Sequence, residues 1–149
     1  MISRITLDAV ENTLISCGDL ACEKLSEGSW LPHITTKHQR SGHTSAVHGT
    51  RILLVGGSAS PKTTEWVSVD GMSEEGLFAL EGPGRENHCS ITLEDPSSMI
   101  LTGGTNTGTK VTHYSLPNGE ILATMPDLTE SREVHACGVY QTSEGSQVE

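Results

Sequence analysis

The chain has 149 residues, enough for one ordinary domain, with a formal net charge of −10 and only 3% aromatic residues. That acidic excess argues against nucleic acid and anionic membranes as partners, which demand a positive footprint, and so few aromatics supply no stacking platform for single strands. No run approaches the roughly 20 apolar residues of a membrane span, and Met1 to Asp8 has no basic stretch leading into an apolar one, so no signal peptide is expected.

In chain order, Arg4-Ile5-Thr6-Leu7-Asp8 reads as a first strand, and Ser29-Trp30-Leu31-Pro32 fits a last one. Arg40-Ser41-Gly42-His43 then opens a better-defined unit. His43 to Val47 is its first strand, with the turn at Gly49-Thr50. Arg51 to Gly57 is the second, so apolar over Ile52 to Val55 that burial on both faces is expected. A polar loop, Ser58 to Lys62, leads to a strand over Thr64 to Val69. Asp70-Gly71 marks a turn, and Gly76 to Leu80 supplies a fourth strand before Gly82-Pro83-Gly84.

Arg85-Glu86-Asn87-His88 starts the pattern again. Cys89 to Leu93, Ser98 to Gly104, Val111 to Leu116 and Ile121 to Met125 are its strands, with turns at Glu94-Asp95-Pro96 and Pro117-Asn118-Gly119. A third copy, Arg132-Glu133-Val134-His135, leads into a strand from His135 to Tyr140. Ser143-Glu144-Gly145 makes a turn there, and Gln147-Val148 barely begins a second strand. The arginines are 45 and 47 residues apart, and Gly57 to Arg85 and Gly104 to Arg132 are both steps of 28. The N-terminal segment is a worn copy: Ile5 lies 13 residues before Gly18 as Ile91 does before Gly104, so Cys17-Gly18 stands for the glycine pair. A period near 45 marks a repeat architecture. Four short antiparallel strands per period is the size of one β-propeller blade.

The chain resembles kelch repeats. The resemblance rests on Arg40 and His43, Arg85 and His88, Arg132 and His135, and on the glycine pairs Gly56-Gly57 and Gly103-Gly104. Trp66 and Tyr114 on the third strands extend it, as do Pro32, Pro83 and Pro126 ahead of the arginines. The fourth-strand tryptophan is clear only at Trp30, with Phe78 a stand-in. The resemblance implies an all-β fold of four-stranded antiparallel propeller blades in a single kelch region spanning 1–149. Its blades lie at approximately 1–34, 40–82 and 85–127, with a partial one at 132–149, about three blades plus one strand. Three blades cannot close a ring without leaving strand edges open, so the expectation is an incomplete propeller: a piece of a longer one, or a half completed as a homodimer.

The resemblance further implies a non-catalytic module that holds a protein partner on exposed loops, with no cofactor or metal. The partner-binding candidates are Ser58, Ser60 and Lys62 in one loop, and Thr105, Asn106 and Lys110 in the other. The alternative is a piece of a kelch-type enzyme like the copper-dependent galactose oxidases, for which Tyr114, Tyr140, His113 and Cys137 are the right residue types. The signature arginines are read as pairing with a carbonyl or carboxylate between blades, and the glycine pairs as places where backbone or a large side chain crowds in. His33, His38, His43 and His48 recur every five residues, which on a strand puts neighbours on opposite faces and not around one metal. Gly103 to Lys110 brushes against a phosphate loop, but its order is wrong and a strand, not a helix, follows. The cysteines at 17, 22, 89 and 137 have no zinc spacing. Cys17 and Cys22 are close enough for a short-loop disulfide in an oxidising compartment. The favoured reading is four unpaired, mostly buried thiols, which tilts the compartment slightly to the cytoplasm.

Overall fold

The computed structural model describes residues 6–10, 13–142 and 145–148. All regular structure in them is β, arranged as three four-stranded antiparallel meanders and a final hairpin. Sheet 1 is β1 (Thr6–Val10), β2 (Thr13–Cys17), β3 (Ala21–Ser26) and β4 (Ser29–Thr35). Sheet 2 is β5 (Thr44–His48), β6 (Arg51–Val55), β7 (Thr64–Ser68) and β8 (Ser73–Glu75). Sheet 3 is β9 (Cys89–Glu94), β10 (Ser97–Thr102), β11 (Val111–Ser115) and β12 (Ile121–Thr124). The hairpin pairs β13 (Val139–Thr142) with β14 (Gly145–Val148).

The sheets stand face to face, and β6 shows why. Its side chains alternate between two cores. Ile52 and Leu54 join Val10, Ile15, Cys17 and Cys22 of sheet 1, while Leu53 and Val55 join Met99 and Leu101 of sheet 3. All four β6 residues are fully buried, each contributing about 2 kcal/mol of apolar burial. This matches the two-faced burial expected from the unbroken apolar run. The first strands adjoin in order, β1 beside β5 and β5 beside β9. The Ser90 hydroxyl donates to the Ser45 carbonyl across the second of these seams at 2.9 Å. No sheet closes back on another to complete a ring among the described residues.

Several expectations need correction. Gly76 to Leu80 forms no strand; β8 lies earlier, at Ser73–Glu75. The segment is held instead by Gly76 N–H to Thr64 O and by the Thr64 hydroxyl donating to Phe78 O, bonds that pull it across the end of β7 rather than along it. The last copy holds two strands rather than one, and the first begins at Val139, not His135. Val139 pairs with Val148, so no strand lies opposite residues 135–138 among the described residues. In sheet 1 the glycine match shifts by one: Gly18 donates to Ala21 O across the β2–β3 connection, as Gly56 donates to Thr63 O across β6–β7. Gly18 therefore takes the place of the first glycine of a pair, and Asp19 that of the second.

Trp66 and Tyr114 are not equivalent. Trp66 is the third residue of β7 and Tyr114 the fourth of β11, and one residue's shift on a strand reverses the face. Trp66 faces sheet 3 and Tyr114 faces sheet 2, so both enter the same core from opposite sides. Phe78 stacks on Tyr114 at 5.6 Å, and the Arg51 guanidinium lies 4.5 Å over the Trp66 ring.

The cysteines are paired, not free. Cys17 and Cys22 sit opposite each other on β2 and β3 and are bonded. Cys89 is bonded to Cys137, 48 residues on. That bond joins the start of β9 to the segment ahead of β13, closing a loop one repeat long. Such closure stabilises by about 4 kcal/mol in the chain-entropy picture.

The glycine pairs give the sharpest test of the packing. A Cβ on Gly56 would run into the Arg85 carbonyl, and Gly56 sits at φ +63°. Gly56→Ala should cost more than about 2 kcal/mol in denaturant unfolding. Gly28→Ala shares the positive φ but meets nothing within 4 Å; it should cost about 1 kcal/mol. Equal losses would show that backbone strain alone, not the close approach, sets the cost.

Candidate functional site

One end of the stacked sheets is built from two copies of the same joint. Within sheet 2, the Arg40 guanidinium donates through Nη1 to Gly56 O at 2.8 Å and Thr63 O at 3.0 Å, clamping both ends of the β6–β7 loop. In sheet 3, Arg85 Nη1 reaches Gly103 O at 2.7 Å and Lys110 O at 2.9 Å, clamping β10–β11 alike. Both side chains are almost fully buried, Arg40 at 0% and Arg85 at 4% exposed. The arginines do bond carbonyls, but inside their own sheet rather than between sheets, because each docks beneath the loop that its repeat supplies. Arg132 has no such loop over it among the described residues; it is exposed, with Glu130 at 4.0 Å.

The bridges between sheets are made by the backbone around each arginine and by the histidines. Gly57 N–H donates to Arg85 O, and Gly104 N–H to Arg132 O, both at 2.8 Å. Gly56 and Gly103 each face the next copy's arginine carbonyl and histidine ring, while Gly57 packs on Arg40 and His43 of its own copy. The His88 Nε2 and Thr44 hydroxyl lie 2.8 Å apart, as do His135 Nε2 and the Thr102 hydroxyl, so each histidine reaches back to the preceding sheet. His43 Nδ1–H donates to Arg40 O at 3.0 Å.

Two parts of this joint escaped the sequence reading. The residue before each histidine is left-handed: Gly42, Asn87 and Val134 have φ of 68°, 54° and 53°. They form a hydrogen-bonded chain, Asn87 N–H to Gly42 O and Val134 N–H to Asn87 O, both 2.8 Å. Glycine there would have been a legible signal, but asparagine is only tolerated and valine is strained. The other omission is Glu65, buried beside Arg40 with Oε2 3.5 Å from Nη2. It also accepts from Lys37 N–H at 2.7 Å and the Ser73 hydroxyl at 2.5 Å.

On this frame the six loop candidates divide. Lys62, Thr105, Asn106 and Lys110 are exposed; Ser58 is half-buried in an antiparallel bridge to Ser41, and Ser60 is half-buried in turn hydrogen bonds. Lys110 Nζ bonds Asp127 at 2.7 Å. The loops lie at the same end of adjacent sheets, and a cavity of about 250 Å³ sits beside the second, against Arg85 and Tyr114. At the opposite end a cavity of about 530 Å³ separates the β5–β6 and β9–β10 turns, with His48 and Glu94 in its wall.

The remaining candidates scatter. His33 bonds Ser68 O, His38 bonds Glu75, and His48 Nδ1 lies 2.6 Å from the Ser97 hydroxyl, so the five-residue rhythm leads to separate partners. His113 Nε2 lies 2.9 Å from the Ser98 hydroxyl, Cys137 is held by Cys89, and the Tyr140 side chain lies outside the described ones. A strand follows the Gly103–Lys110 loop.

Burial lowers the His43 pKa below the ordinary 6.5, the Arg40 carbonyl opposes that shift, and the Arg40 charge adds to it. The unfolded chain therefore takes up a proton that buried His43 refuses. Stability from this residue is full above pH 6.5 and falls as pH drops below it, by at most about 1.4 kcal/mol per unit. His43→Asn, which keeps an N–H donor but does not titrate, should flatten that part of a denaturation-versus-pH curve. No family model matches this chain, and no curated protein matches it.

Proposed function

We propose that this chain is a kelch-type β-propeller region whose work is to hold a protein partner on the loops at the arginine end of its sheets. The observation that carries the reading is the duplicated joint: buried Arg40 and Arg85 pin the β6–β7 and β10–β11 loops in register while leaving their tips, Lys62 and Thr105 to Asn106, exposed. A frame that spends its charged residues on fixing loop ends, and its apolar ones on packing, leaves only the tips to make contacts. The adjoining first strands β1, β5 and β9 are arranged as the inner strands of successive blades would be. Trp30 on β4 of sheet 1, 43% exposed, offers apolar surface that further blades or a second copy of the chain would cover.

The Cys137 sulfur, bonded to Cys89, is not available for a tyrosine crosslink, which weighs for a binding module over a galactose oxidase-like copper site. Two disulfides accord with an oxidising compartment and remove the ground for preferring the cytoplasm. With a net charge of −10, a basic partner surface is favoured through its on-rate.

Affinity capture with the chain and with a Lys62→Ala, Asn106→Ala, Lys110→Ala variant tests the reading. The parent should retain a protein that the variant loses while its circular dichroism stays unchanged. Equal retention by both would place the contact elsewhere and contradict the proposal.

A further inference from the structure

Arg40 and Arg85 occupy the same place in successive sheets, but the residue that meets Nη2 differs. The second residue of the third strand is Glu65 in sheet 2 and Thr112 in sheet 3. Glu65 gives Arg40 a buried carboxylate at 3.5 Å. At Arg85, the matching Nη2 donates instead to the Thr112 hydroxyl at 2.8 Å. Threonine is shorter and uncharged, and no carboxylate forms an ion pair with Arg85 among the described residues. A buried cation without a counter-charge is costly, and burial lowers the Arg85 pKa accordingly.

The shorter residue also leaves room. The cavity of about 250 Å³ is lined by Arg85, Thr107, Lys110, Thr112, Tyr114 and Glu81, among others. The Tyr114 hydroxyl accepts from Glu81 N–H at 3.3 Å, so its own proton can be donated into the space. Thr107 donates to Gly103 O at 2.6 Å and can only accept there. Lys110 on the rim is shared with Asp127, and the Glu81 carboxylate on the exposed rim acts against an anion.

We propose that this cavity binds a carboxylate group, which takes beside Arg85 the place that the Glu65 carboxylate takes beside Arg40. A single guanidinium with no counter-charge matches a monoanion, and its planar fork matches a carboxylate. The Glu81 rim and the acidic chain disfavour the higher charge of a phosphate. The carboxylate comes either from a small free acid or from a glutamate side chain of a bound polypeptide. The site stands on sheet 3 and the residues before it, whether or not the sheets belong to a propeller.

The test is NMR titration of the ¹⁵N-labelled 149-residue chain with sodium acetate and, separately, N-acetyl-glutamate N-methylamide, against sodium chloride at equal ionic strength. The expected result is saturable shifts of the Arg85 Nε–H and of the Thr107 and Tyr114 amides, without matching shifts at Arg40. Preference for acetate identifies a free-acid site, and preference for the glutamate derivative a peptide site. Thr112→Glu, which supplies the carboxylate internally, should weaken binding roughly tenfold or more. Tyr114→Phe keeps the stacking on Phe78, removes one donor, and should weaken it several-fold. Absence of saturable shifts with both probes, or unchanged affinity in both variants, overturns the proposal.

Discussion

The hydrogen bond from Gly57 N–H to Arg85 O, repeated from Gly104 to Arg132, is the constraint on which the rest of the chain depends. It requires two strand ends and the next copy's opening residues to meet at backbone distance. Only glycine satisfies that, because the first of each pair has no room for a Cβ and both have positive φ. Once the backbones meet, the histidine ring falls against the preceding sheet, and the arginine beside it is placed under its own loop. The apolar cores on either side of β6 supply most of the stabilisation, but they do not specify how far one sheet slides along another. The polar joint does, because its donors and acceptors match in one register only.

The same joint explains a division of labour along each repeat. Charged and polar side chains that would ordinarily face water, Arg40, Glu65, Arg85 and His88, are buried at the ends of strands. The loop tips between them are bonded through their backbone, Pro61 O accepting from Arg85 N–H of the next copy and Thr105 N–H donating to Glu86 O of its own, while the side chains of Lys62 and Asn106 stay exposed. Where the joint is complete, as at Arg40, its charges are matched internally; where it lacks the carboxylate, as at Arg85, a cavity opens beside the cation. A small substitution inside the frame, threonine for glutamate, thus changes the space and charge beside the arginine while its clamp on the loop carbonyls is kept.

Much of the fold was legible in the sequence because the signals were local. Unbroken apolar runs at Ile52 to Val55 and Met99 to Leu101 marked the central strands, and the arginine-to-glycine spacing set the repeat. What stayed hidden depended on relations between segments. The one-residue offset that turns Trp66 and Tyr114 towards each other was present in the sequence as nine against ten residues past the glycine pair, but it counts as a reversed face only because both strands begin seven residues past that pair. Gly76 to Leu80 looked like a strand but is occupied by bonds to β7. The Cys89–Cys137 bond could have been suspected, since its 48-residue separation is close to one repeat and puts both sulfurs at neighbouring first strands. Glu65 carried no signal at all: one glutamate in a polar strand differs from any other only through the arginine folded against it.

The most direct measurement is native-state hydrogen exchange at the joint. If the Gly57 and Gly104 amides lock successive sheets together, they should exchange only through global unfolding, with protection equal to that of Leu53 in the middle of β6. Markedly faster exchange at both glycines, with Leu53 still protected, would mean that the sheets part locally at the joint, and that the cores alone hold them in register.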